Sequence, residues 1–208
     1  FLDTRVAGQN MAATQKGEGF GLGYGHGAFE MELKSGRPVA QWIPPFGDDA
    51  KPKIEAVKAQ LVRRLGAERA ERVAEHQRNL IIFPNLVIND NVGLSVRSVF
   101  PVAPDRMIAN IWAMGTRNED PLLRKVRLDN YLTFVGPGGF ATPDDFEAFS
   151  LCQRGIDHAP SSWSDISKGM KRDEDLLHAR ADFTDEAQMR GWWAQWDRLL
   201  AGDERLEA

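Results

Sequence analysis

The residues best suited to chemistry are Asp144 and Asp145, in Thr142-Pro143-Asp144-Asp145. They fall on the first turn of a predicted helix that follows the glycine turn Gly136-Pro137-Gly138-Gly139. A carboxylate at a helix start is held rigidly and can aim at a metal ion. The same spelling is also a helix cap: Thr at N-cap, Pro at N1 and an acid three residues on. Both acids suit the positive end of the helix dipole. The residues alone leave both readings open. Non-haem Fe(II) sites of the oxygenase kind pair one carboxylate with two histidines. The chain has four histidines, His26, His76, His158 and His178, and no two have the close spacing of a ligand pair. His26 sits in Gly-Tyr-Gly-His and reads as structural or pocket-adjacent, and His76 lies near the start of a strand. His158 and His178 lie in polar segments and read as solvated.

A second informative stretch is Asn79-Leu-Ile-Ile-Phe-Pro-Asn85. Asn79 introduces a polar amide into an apolar run. It either bonds locally to backbone or gives an apolar pocket the polar group that orients a ligand. Trp192, Trp193 and Trp196 recur at helical spacing, which favours core or domain-seam packing over ligand stacking. Trp42, Trp112 and Trp163 add nothing specific. The one cysteine, Cys152, allows no internal disulfide and no cysteine-paired zinc or iron–sulfur site. It reads as a small buried apolar residue in a reducing cytoplasm.

These residues need a scaffold, and 208 residues are enough to bury a sizeable core. Apolar content of 42% and charged content of 27% are those of an ordinary folded domain. The net charge of −4, with acids and bases interspersed and no basic block, argues against nucleic acid as a partner. No apolar run approaches the ~20 residues of a membrane span, and no signal-peptide pattern opens the chain. The chain opens on Phe1-Leu2-Asp3 rather than methionine, which reads as a domain cut at its N-terminal side.

Residues 17–33 alternate glycine with larger side chains and predict a strand. Phe20, Leu22 and Tyr24 fall on one face, and the glycines would let another backbone or a ligand come close. Prolines and glycines make 34–51 a loop. A helix starts near Pro52, with Ile54, Val57, Leu61 and Leu65 as its apolar stripe, and Gly66 separates it from a second helical piece to about Glu75. The period then falls to two, predicting an antiparallel meander through Leu80–Phe83, Leu86–Ile88, Leu94–Phe100 and Met107–Met114. A helix runs from Pro121 to about Val135, and another from Thr142 to Arg154, closed by Gly155. Residues 156–183 read mostly as loop, and Thr184 as the N-cap of the last helix. The fold class is α+β, an antiparallel sheet with helices packed on it.

Taken together, Asn79–Asn85, segment 136–155 and the Trp-rich last helix resemble the catalytic domain of Rieske-type aromatic ring-hydroxylating oxygenases, large (alpha) subunit. The resemblance covers about residues 17 to 200 and makes residues 1–208 part of that catalytic domain, incomplete at its N-terminus, with the Rieske domain absent. It implies a helix-grip (Bet v 1-like, START-like) fold around a hydrophobic cavity. It implies cis-dihydroxylation of an aromatic substrate with O2, using NADH-derived electrons passed by a ferredoxin and/or reductase through a [2Fe-2S] Rieske cluster to mononuclear Fe(II). The family's iron aspartate is the second acid of a similar pair, and its spacing to a following Gln is matched by Asp145 and Gln153. That maps the metal carboxylate onto Asp145, with Asp144 if the register slips by one. The histidine pair of the family falls just before a stretch like Phe1-Leu2-Asp3, and no such pair lies in this chain. Asn79 takes the place of a pocket residue, and Asn89, Val92, Val135 and Ala141 line the same pocket by this mapping. Val135 and Ala141 are smaller than the aromatic residues at those places in some relatives. The resemblance further implies a cytoplasmic homotrimer or alpha3beta3 assembly, the latter with a beta subunit. A Rieske monooxygenase or demethylase of the same fold, and a metal-free helix-grip module for apolar small molecules, stay open as alternatives.

Overall fold

The computed structural model describes residues 16–32, 37, 40–158, 163–172 and 174–202. Phe1-Leu2-Asp3, and Gly36 and Pro38 of the predicted loop, lie outside them. Seven strands form one antiparallel sheet: β1 (Gly17–Gly21), β2 (Gly27–Glu32), β3 (His76–Ile82), β4 (Leu86–Asp90), β5 (Leu94–Ala103), β6 (Arg106–Ala113) and β7 (Arg180–Asp182). Their spatial order is β6-β5-β4-β3-β2-β1-β7. Among the described residues, five α-helices accompany them: α1 (Lys51–Leu65), α2 (Ala67–Glu75), α3 (Pro121–Val135), α4 (Thr142–His158) and α5 (Ala187–Leu200). This is the α+β architecture that the alternating periods predict.

Helix boundaries follow local chemistry. Asp120 caps α3: its Oδ1 accepts from the Leu122 and Leu123 amides at 2.9 and 3.4 Å, and Pro121 follows at N1. Gly66, at φ +78°, breaks α1 from α2 where a side chain would be strained. Ala50, Ile54 and Leu123 form a buried cluster where α1 meets α3, flanked by Trp42, Phe46, Val57, Leu122 and Val126.

The glycine-rich segment is a hairpin rather than one strand. Leu22 N donates to His26 O and His26 N to Gly23 O, while Gly23, Tyr24 and Gly25 all take positive φ. The strand therefore ends at Gly21, and Leu22 and Tyr24 project from the turn. The glycines within the strands make room for α5. A Cβ on Gly19 would lie 2.4 Å from Gln188 Oε1, and one on Gly27 would lie 2.9 Å from both Gln188 Cβ and its backbone oxygen.

Other boundaries depart from the sequence expectation. Helix α4 runs through Gly155 to His158, carried by contacts one turn apart: Gln153 Nε2 donates to Asp157 Oδ1 at 3.0 Å, and His158 Nδ1 meets Arg154 O at 2.8 Å. Thr184 caps nothing, because its amide and hydroxyl are both taken by Asp182 Oδ1, and α5 begins at Ala187 after Glu186. Residues 180–182, read as loop, pair with β1. Cys152 is exposed, since α4 buries none of its residues. Of the tryptophans on α5, Trp192 packs against Phe83, Trp193 and Trp196, while Trp193 and Trp196 remain about half exposed.

Arg190 anchors the C-terminal segment. It is 1% exposed, pairs with Glu174 at 2.9 Å and donates to the backbone oxygens of Lys168 and Asp185. On the sheet face away from α5, Glu30 accepts from Arg72 through two bonds of 2.7 Å and from Arg78 at 2.9 Å. Burial alone would raise the Glu30 pKa. The two guanidiniums outweigh it and bring the value from 4.5 down to about 2. Glu30 and Arg72 border a cavity of about 670 Å³, lined also by Phe20, Glu68, His76 and Arg180.

Two outcomes follow. Removing the buried carboxylate with Glu174→Ala strands a buried guanidinium and is expected to cost about 3–5 kcal/mol in urea unfolding. A loss below about 1 kcal/mol, the range of surface ion pairs, would show that the pair is not an anchor. Because the folded pKa of Glu30 is depressed, its contribution is present above pH 4.5 and lost as pH falls toward 2. Glu30→Gln should therefore lower stability at pH 7 and flatten its fall between those values, read by acid titration with circular dichroism.

Candidate functional site

The predicted pocket residues occupy two structural groups, each held by hydrogen bonds and linked through the turn after β4. Asn79 and Asn89 come from adjacent strands and stand directly opposite each other in β3 and β4. The row continues to Phe29 on one side and Ser95 on the other. Alternation along the strands places this row on the same face as Gly19 and Gly27, the face that receives α5. Asn89 Nδ2 donates to Asn79 Oδ1 at 2.7 Å. The Asn79 amide thus bonds to a side chain, not to the backbone. Asn89 is 7% exposed, and its Oδ1 is buried without a partner among the described residues.

The loop after β3 is pinned from three sides. His26 Nδ1 accepts from Phe83 N at 3.0 Å, Asn85 Nδ2 donates to Val99 O at 2.9 Å, and Trp192 Nε1 donates to Pro84 O at 3.0 Å. His26 is therefore a structural acceptor, and its neighbours fix the strand that carries Asn79. His158 and His178 are exposed, the latter paired with Asp175 at 2.9 Å.

The second group lies along α3 and its exit. Val92, in the turn between β4 and β5, accepts from Asn130 Nδ2 of α3 at 2.9 Å. Val135 closes the same helix and is buried. Its carbonyl accepts from Thr142 Oγ1 at 2.9 Å, so the Thr142 hydroxyl turns back to α3 and does not cap α4. Ala141 N donates to Phe134 O, and Asp145 N donates to Ala141 O, at 2.8 and 2.9 Å. This chain of contacts ties Asn89, through β4, to the start of α4. Asp144 and Asp145 both face solvent there, and neither carboxylate has a hydrogen-bond or ion-pair partner among the described residues. Gln153 turns to Asp157. No three His, Cys, Asp or Glu side chains converge on a metal-sized space among the described residues.

One residue on this face escaped the sequence reading. Arg97 is directly opposite Val87, two positions along from the Asn89–Ser95 pair, so it shares their face. It is partly buried, its Nε has no hydrogen-bond partner, and it forms no ion pair among the described residues. The signal was present in the sequence: Ser95 and Arg97 put polar side chains on the inward phase of an otherwise apolar strand.

No protein-family model matches the chain. It is 32% identical over 149 residues to toluate 1,2-dioxygenase subunit alpha of Pseudomonas putida, covering 72% of this chain and 31% of that protein. It is 34% identical over 116 residues to the large subunit of 2-halobenzoate 1,2-dioxygenase of Burkholderia cepacia, 56% of this chain and 25% of that protein. Its homologues are large subunits of aromatic ring-hydroxylating dioxygenases. Anthranilate 1,2-dioxygenase large subunit of Acinetobacter baylyi, 28% identical over 162 residues, covers 72% of this chain and 34% of its own length. The chain thus spans between a quarter and about a third of these dioxygenase subunits. Its fold is that of naphthalene 1,2-dioxygenase. The TM-score is 0.65 to the phenanthrene-bound F352V mutant, at 18% identity, over 87% of this chain and 41% of the other. The indole-bound Rhodococcus enzyme gives 0.65 at 19% identity, over 91% and 46%.

Proposed function

We propose that this chain is a segment of the catalytic domain of a dioxygenase large subunit that cis-dihydroxylates an aromatic acid. The observation that carries the reading is the 72% of the chain that matches toluate 1,2-dioxygenase at 32% identity. The names of the relatives add the substrate class, since halobenzoate, toluate and anthranilate are all aromatic carboxylates. They also favour ring dioxygenation over the monooxygenase or demethylase alternative, and catalysis over a metal-free binding module.

In this reading Asp145 supplies the carboxylate of a mononuclear Fe(II) site, and Asp144 is its neighbour in register. The donor chemistry suits that role in part. A hard carboxylate with no partner of its own, on the rigid first turn of α4, is free for a metal. The described residues supply no imidazole pair beside it, so the remaining ligands belong to another part of the large subunit. Iron, when bound, supplies the activation of oxygen. Residues of this chain position the site: Thr142 and Ala141 hold the start of α4 against α3, and Asn79, held by Asn89, offers a polar contact to the substrate. Helix α4 exposes Phe146, Phe149, Leu151 and Ile156, each more than half exposed. Apolar surface of that kind marks a contact face, and we read it as the seat of the rest of the subunit. The Rieske [2Fe-2S] cluster, its ferredoxin and/or reductase, a beta subunit and a trimeric or alpha3beta3 assembly belong to the same proposal. No helix among the described residues is long and apolar enough to cross a membrane, and the proposed setting is cytoplasmic.

In the full-length large subunit, Asp145→Ala is expected to abolish iron retention and oxygen uptake with benzoate. Iron is read by elemental analysis and uptake by an oxygen electrode. Iron and turnover retained in Asp145→Ala but lost in Asp144→Ala would move the ligand by one residue. Both retained in both variants would remove this helix from the metal site.

A further inference from the structure

The Asn79–Asn89 bond has a direction, and that direction selects a ligand. An asparagine amide carries one acceptor oxygen and one donor nitrogen. Asn79 Oδ1 is engaged by Asn89 Nδ2 at 2.7 Å. The polar group that Asn79 has left is its Nδ2, which makes no hydrogen bond among the described residues. Reversing the pair would leave the whole Asn89 NH2 group buried and unbonded. The observed sense leaves only a carbonyl oxygen without a donor, and orphaned oxygens are tolerated better than orphaned N–H groups. Asn89 is more than nine-tenths buried and cannot turn to solvent, so it holds Asn79 in this sense. Arg97 adds a cation to the same face with no anionic partner among the described residues. The face therefore presents a fixed donor and, two strands away, a positive charge, and the charge-balanced complement is an anionic acceptor.

Resting on the aromatic-acid reading above, we infer that Asn79 is a specificity-determining residue that donates through Nδ2 to the substrate carboxylate, and that Asn89 is the positioning residue that sets its polarity. The inference goes beyond a pocket-lining role because it fixes which atom meets the substrate and which substrates are refused. A neutral ring lacking the carboxylate leaves the Nδ2 donor unmet and is discriminated against.

The experiment uses the full-length large subunit, with benzoate and toluene as probes, binding measured by calorimetry and turnover by oxygen uptake. Asn79→Asp keeps the shape, accepts from Asn89 and offers the substrate no donor. Asn89→Asp leaves Asn79 intact but can only accept from it, which turns Asn79 Oδ1 toward the substrate. Each variant should weaken benzoate binding by about 10- to 100-fold, the scale of one hydrogen bond to a charged group, and lower the benzoate-to-toluene preference. A melting temperature within a few degrees of the parent, by calorimetry, shows that the variants are folded. A merely structural Asn89 would not reverse selectivity while Asn79 is present. Wild-type protein that fails to bind benzoate, or a folded Asn89→Asp variant whose benzoate affinity stays within twofold, overturns the inference. Toluene oxidation without benzoate binding would leave ring hydroxylation standing and remove only the carboxylate contact. Benzoate binding lost in both variants, with no oxygen uptake by the iron-loaded parent, would do the reverse.

Discussion

The close approach of α5 to the sheet is the constraint on which the site depends. Atoms of the helix and of the segment before β7 lie where Cβ atoms of β1 and β2 would otherwise be: Gln188 over Gly19 and Gly27, and Leu177 O over Gly21. Glycine at these positions costs strand stability, and the return is a helix seated directly on the strands. From that seat Trp192 reaches Pro84 O and packs at a tilt against Phe83, so the same helix fixes the loop at the end of β3. Register then propagates. A strand displaced by one residue would turn Asn79 away from Asn89 and onto the opposite face.

The two faces of the sheet divide the polar chemistry. Away from α5, Glu30 is matched by Arg72 and Arg78, and Arg180 by Glu18, with Arg180 lying over Phe20. Charge there is closed on itself. On the α5 face, buried polar atoms are left without partners among the described residues at Asn89 Oδ1, Arg97 Nε and Gln188 Oε1. Buried polar atoms without partners are costly in a purely structural role. Asn89, Arg97 and Gln188 put three such atoms on the face that carries the candidate pocket residues, while Ser98 Oγ and His76 Nδ1 lie on the other phase of their strands.

Much of this was legible in the sequence because it was local. Asp120-Pro121, Gly66 and the shift from helical to strand period after Glu75 each act within a few residues, and the helices and meander stand where those signals put them. The short strand β7 was not legible. Its three residues are recruited by pairing with β1, more than 150 positions earlier in the chain. The start of α5 was misplaced because Asp182 competes for Thr184 and removes it as a cap. Cys152 was expected to be buried, yet α4 buries none of its residues among the described ones. Asn79 and Asn89 could each be named as candidates, but their mutual bond depends on cross-strand register, which no single segment encodes.

A neutral amide pair is a physically sensible way to hold an anion. An arginine placed against the ring would add a full buried charge whose desolvation costs several kcal/mol unless the substrate is always present. It would also bind ground state and transition state alike, which lowers KM without raising kcat. An oriented amide offers one directional donor at small desolvation cost, and Arg97 can act at longer range without direct contact. The orientation must be enforced, because an isolated asparagine flips as readily to present its oxygen. Asn89 enforces it by burial: with no solvent to satisfy a rotated amide, its nitrogen is committed to Asn79, and Asn79's nitrogen is left for the ligand.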